Sequence, residues 1–212
     1  MQKIILTVLG LCGVWAVVSL AAPQPAAVQQ PGSWTVDVKF EHPQLIMFKA
    51  PGDNSPKRFW YIIMTLTNKT SSDLEFYPGC ELMTDTLQIV PAGKSVSQAV
   101  FEQIKKRHQN RYPFLEYFET AGKKILQGQD NAKDIAIAWP DFDPNAKAVK
   151  FFVAGLSNET TAVDHPTEKD KSGRPVKIFL RKTLELSYAV RGDAALRSNA
   201  SLSYEGQRWI MR

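Results

Sequence analysis

The sequence predicts a mainly β protein, a two-sheet antiparallel sandwich with one helical insertion over about residues 94–120. Three observations carry this. Period-two alternation of apolar and polar residues recurs between Trp34 and Met211. Turn signals cut the chain into seven to nine short runs. Only the stretch after Lys94 trades alternation for helical spacing. Strands and helices do not alternate, which argues against a parallel α/β sheet.

The elements follow in order. Trp34, Val36, Val38 and Phe40 alternate with Thr35, Asp37 and Lys39 as a half-buried strand, and Leu45–Phe48 continues it past a kink at Pro43. Residues 51–56, PGDNSP, form a turn. Arg58–Thr67 is almost continuously apolar and β-branched or aromatic, as a central strand covered on both faces must be. Leu74–Tyr77 and Thr84–Val90 read as short strands. Val96, Val100, Ile104 and His108 fall four apart, on one face of a helix over roughly 96–110 with Ser95 as its N-cap. Arg111–Thr120 is aromatic and broken by Pro113. Ile135, Ile137 and Trp139 alternate with alanines, and Val149–Leu156 is a further apolar strand. Asp164–Arg174 reads as a charged loop. Even positions from Val176 to Val190 are then apolar except Lys182, as in one long strand or two strands meeting at a bulge there. Trp209–Met211 supplies a last edge strand.

The organisation has three parts. Residues 1–21 have a signal-peptide pattern: Lys3, an uncharged apolar run from Ile4 to Leu20, and small residues at Ser19 and Ala21. Retention as a membrane anchor is the alternative, because the run approaches the length that spans a bilayer. Leu11 before Cys12 does not fit lipoprotein processing. Residues 22–32 are a Pro-, Gln- and Ala-rich linker, and 33–212 form the folded domain. The expected address is exported, periplasmic or extracellular, with no membrane span after signal cleavage.

The net charge is +5, and cleavage would remove only Lys3, leaving +4 with basic residues scattered. No focused basic stripe is present, so nucleic acid is not an expected partner. Cys80 would be the sole cysteine after cleavage, which excludes an intrachain disulfide. It is a buried small residue, a reactive thiol or an interchain partner. The core alone must hold about 190 residues, which is enough chain to bury one.

No G-x-S-x-G elbow, Walker loop or G-x-G-x-x-G occurs. His42, His108 and His165 lie far apart, without the close spacing of metal ligands. Asp141, Asp143 and Asn145 begin like a calcium loop, but Ala146 and Phe152 stand where an EF-hand needs Gly and Glu, so an Asx turn competes. Lys105, Lys106, Arg107 and Arg111 form a basic helical patch. It could dock on an acidic polymer or envelope protein, or simply oppose the helix dipole. Arg191-Gly192-Asp193 reads as a turn, and Asn68, Asn158 and Asn199 begin glycosylation sequons. Trp60, Tyr61, Trp139, Phe151, Phe152 and Trp209 cannot all face one core by strict alternation. They are covered from both sides or form a binding surface.

The disulfide and tryptophan spacing of antibody domains is absent, so the expected sandwich is immunoglobulin-like in architecture only. The runs FWYIIMTLTNKT at 59–70, AIAWPDFDPNAKAVKFFVAGLSNET at 136–160, FLRKTLELSY at 179–188 and RWIMR at 208–212 resemble uncharacterised secreted bacterial proteins. The aromatic strand ending in Leu66-Thr67-Asn68 is similar to exported telokin-like, immunoglobulin-like domains. That resemblance implies a β-sandwich without an enzymatic role, and it carries over no catalytic residue. The expected function is an exported, non-catalytic domain with a binding or structural role at the cell envelope and no cofactor. The alternatives are a secreted hydrolase of envelope polymer or glycan, and a calcium-stabilised structural domain.

Overall fold

The computed structural model describes residues 32–192 and 200–212. The expected signal segment, nearly all of the expected linker, Asp193 and Asn199 lie outside the described residues. The fold is mainly β, built of largely antiparallel sheets and one helix.

The first sheet is centred on β3 (Lys57–Thr67). One edge of β3 takes two strands in succession, β1 (Asp37–Phe40) against residues 64–67 and β2 (Gln44–Phe48) against residues 57–61. The break between them falls at His42-Pro43, where proline cannot donate to the ladder. The other edge pairs with β9 (Lys133–Pro140), which in turn takes the two-residue β7 (Glu116–Tyr117) in parallel. The parallel pair departs from the all-antiparallel expectation.

The register explains why β3 is apolar on both faces. Trp60, Ile62 and Met64 lie opposite Trp139, Ile137 and Ile135, and this face meets the second sheet through the edge contact of Trp139 with Phe151. Tyr61 and Ile63 lie opposite Ala138 and Ala136 on the other face. There the helix α1 (Gln98–His108) packs, and the alanines leave it room. Val100, Phe101 and Ile104 are its buried residues. The N-cap is Ser97 rather than the expected Ser95, which sits at φ 63° before the helix begins.

The second sheet joins β6 (Ile89–Pro91), β5 (Gly79–Thr84), β10 (Ala148–Ala154) and β12 (Pro175–Arg191). β12 also pairs with β11 (Thr160–Lys169) and with β13 (Ser201–Met211). A small third sheet pairs β4 (Leu74–Glu75) with β8 (Lys124–Ile125).

Three sequence expectations need correction. The strand expected at 84–90 is split: Thr84 ends β5, the chain turns at Asp85–Gln88 with Leu87 at φ 64°, and Ile89 and Val90 belong to β6. The charged "loop" at 164–174 is mostly strand, since β11 and the start of β12 form a hairpin turning at residues 170–174. β12 continues through Lys182 without a break, and the irregularity lies on β13, where Glu205 is an extra residue between Gly206, opposite Ser187, and Tyr204, opposite Tyr188.

Candidate functional site

An open groove of about 710 Å³ lies between the outer face of the second sheet and the segment 118–123. Its polar lining comes from Tyr77, Glu81, Glu119, Lys123 and Arg212. The local folding is legible. Gly155, at φ 87°, lets the loop before β5 pass close, because a Cβ there would lie 2.5 Å from the Tyr77 carbonyl oxygen. That approach places Tyr77 on the rim, 62% exposed. Glu81 is opposite Phe152 in the ladder. Arg212 lies over the Phe152 ring at 4.1 Å and ion-pairs with Glu81 at 2.7 Å. The groove therefore offers one exposed aromatic, a hydrogen-bonding rim and two acids balanced by two bases. Such a lining suits a polar chain without strong net charge.

Cys80 is also at the groove, but it is buried, and desolvation pushes its thiol well above the usual range. A thiol so held is a poor nucleophile, which fits the packing role.

The basic helical patch is partly consumed by the fold. Arg107 Nη1 donates to the Leu45 carbonyl at 3.0 Å and to the Tyr61 hydroxyl at 3.3 Å. Arg111 ion-pairs with Glu41, whose carboxylate also accepts from Tyr112 at 2.8 Å and Gln44 at 2.9 Å. Tyr61 donates its one proton to Gln44 Oε1 at 2.9 Å, so His108 Nε2, 2.9 Å from the Tyr61 hydroxyl oxygen, carries a proton and donates it to that oxygen. Burial lowers the His108 pKa and raises that of Tyr61, keeping both neutral at neutral pH. Lys105 and Lys106 make no ion pair among the described residues, and Lys106 is exposed. The patch is thus a clamp holding α1 on the first sheet, with two lysines outside it.

The calcium candidates are differently placed. Asp141 accepts from Trp60 Nε1 at 2.8 Å and pairs with Arg58 at 3.1 Å. Asp143 Oδ1 accepts the Asn145 backbone N–H at 2.9 Å, as an Asx turn does. Among the described residues no three His, Cys, Asp or Glu side chains are grouped to hold a metal ion. His42 bonds to the Tyr188 hydroxyl at 3.0 Å, and His165 accepts the Glu168 N–H at 2.8 Å. Of the six aromatics, only Trp209 is exposed, at 38%; the other five are core.

The site residues that sequence reasoning missed are Tyr77, Glu81, Lys123 and Arg212. They come from separate segments, and only the β5 alternation of Cys80 and Leu82 could have pointed Glu81 outward. Neither a protein-family model, nor a curated protein, nor a solved structure matches the chain.

Proposed function

We propose that this is an exported, non-catalytic β-sandwich, immunoglobulin-like in architecture, that binds an envelope protein through the groove beside Arg212. Export rests on the signal pattern of residues 1–21. The architecture is supported by two main sheets meeting through Trp139 and Phe151 around one core. The observation that carries the binding reading is the groove itself, with Tyr77 exposed on its rim and its charges balanced. Balanced charge favours a polypeptide segment over an acidic polymer, and the engagement of Arg107 and Arg111 within the fold points the same way.

The test is crosslinking of the exported protein in intact cells, followed by identification of what co-purifies. A reproducible envelope protein, lost with Tyr77→Ala and Lys123→Glu, supports the reading. Recovery of the protein alone sinks it.

A second reading, a secreted hydrolase of envelope glycan, is favoured by one observation: Glu81 and Glu119 line the same groove. Two carboxylates flanking a bond are what glycoside hydrolysis needs. Release of sugar from purified envelope polymer, abolished by Glu119→Gln, would support this reading over the first.

A further inference from the structure

We propose that two copies of this chain join edge to edge along β13, in antiparallel register about Gln207, making the second sheet continuous across a two-fold axis. The inference is independent of what the groove binds.

The ladder with β12 determines which backbone groups of β13 are left over. Arg181 and Arg212 exchange both backbone hydrogen bonds, at 2.7 and 3.1 Å. In an antiparallel ladder such pairs alternate with non-bonded ones. Arg212, Ile210, Arg208 and Gly206 therefore spend their N–H and C=O groups on β12. Met211, Trp209 and Gln207 turn theirs to the open side. The extra residue at Glu205 then shifts the phase. Beyond it Ser203 and Ser201 face odd-numbered β12 residues and bond inward, while Tyr204 and Leu202 point outward. Among the described residues no strand covers that edge.

This set of outward groups is complementary to itself. Placing Gln207 opposite its own copy sets Trp209 against the second copy's Tyr204 and Met211 against its Leu202. The spacing is two residues on one side of Gln207 and three on the other. An ordinary strand could not match it to itself, but each copy's bulge absorbs the extra residue of the other. The side chains agree as well. Tyr204 and Trp209 are 42% and 38% exposed at the edge, and each would gain an aromatic neighbour. On the opposite face Glu205, which makes no ion pair among the described residues, comes beside the second copy's Arg208. Arg208 already holds Glu185 at 3.0 and 3.2 Å, with half of its side chain still exposed. Edges that stay free are usually blunted by proline, short length, charge or a bulge. β13 has eleven residues, no proline and one bulge, and that bulge matches its own copy.

The register makes a sharp test possible. Gln207 would sit on the axis, where paired Cα atoms about 5.5 Å apart suit a disulfide. In a Cys12→Ser background of the full chain, Gln207→Cys should form a covalent dimer under mild oxidation, while Ser203→Cys should not. Sedimentation equilibrium of the unaltered chain should show a monomer–dimer equilibrium. Gln207→Pro removes only an outward N–H, so it should raise the dissociation constant about a hundredfold with an unchanged far-ultraviolet spectrum. A chain that stays monomeric at every attainable concentration overturns the proposal. So does a dimer that Gln207→Cys fails to trap, or that crosslinks equally well through Ser203→Cys.

Discussion

β12 is one strand with two environments. From Thr183 to Ala189 it runs through the core, with Leu184, Leu186 and Tyr188 buried on the inner face and Thr183 and Glu185 buried on the outer. From Pro175 to Arg181 the same alternation continues, yet no residue of that half, or of its partner β11, is buried. Val176, Ile178 and Leu180 are only half covered, and Phe179 is 71% exposed. The hairpin of β11 with the first half of β12 is thus a ribbon standing off the core. Alternation reports strand geometry, and burial depends on what the other layer supplies.

The comparison breaks most visibly in stability. Leu186→Ala should cost about 2–5 kcal/mol, read by denaturant unfolding, because the core cannot close over the space. Ile178→Ala, the same kind of truncation in the ribbon, should cost less than about 1 kcal/mol. Equal losses would mean the ribbon is as tightly packed as the core.

Next comes the junction between the halves. Lys182 occupies an inward position and ion-pairs with Glu159, which is 8% exposed and also accepts from Thr35 at 3.0 Å. Lys182→Met leaves that carboxylate buried without its cation and should cost about 2 kcal/mol or more. Adding Glu159→Gln should recover most of the loss in thermal melts.

Acid sharpens the contrast. Lys182 holds the Glu159 carboxyl below its usual range. At Glu185 burial pushes upward, but Arg208 and Lys150 outweigh it and the net shift is also downward. A carboxyl with a lowered folded pKa stabilises the protein above its unfolded value of 4.5, and that stability drains as pH falls below it. Chemical unfolding midpoints should therefore drop below pH 4.5, and less steeply in Glu185→Gln. Burial also lowers the pKa of His108, so a smaller loss should begin as pH falls through 6.5. The smallest effect is expected for Phe179→Ser, within about 0.5 kcal/mol of the parent, since the ring covers nothing in the monomer.

The parts of the fold legible in the sequence are those where pattern and packing agree. β3 is apolar at consecutive positions because a sheet lies on one face and a helix on the other. Val100 and Ile104 repeat at helical spacing because one stripe meets Tyr61 and the β9 alanines. What was illegible had other causes. Pro78-Gly79 resembles a turn and hides the start of β5, while the turn at Leu87 has no glycine to announce it. The 164–169 strand is polar because no second layer lies against it. Ser201–Gly206 is polar because it is an edge. Lys182 looked like a break in the alternation and is instead the partner of a buried acid. The groove was out of reach because residues 77–81, 118–123 and 212 meet only after the sheets form.

The ladders also set an order of events. β3 finds its second neighbour only in β9, with Met64 opposite Ile135, and β5 finds its neighbour in β10, with Leu82 opposite Phe151. Each closure bridges about seventy residues, and such distant pairings slow folding relative to local ones. A chain emerging from its N-terminus would hold β1, β2 and β3 with one apolar flank bare until residue 140 appears. Such a chain must stay unaggregated while it waits for its own second half. Truncations ending before β9 should be caught by proteases or holdases, whereas the complete chain should escape both.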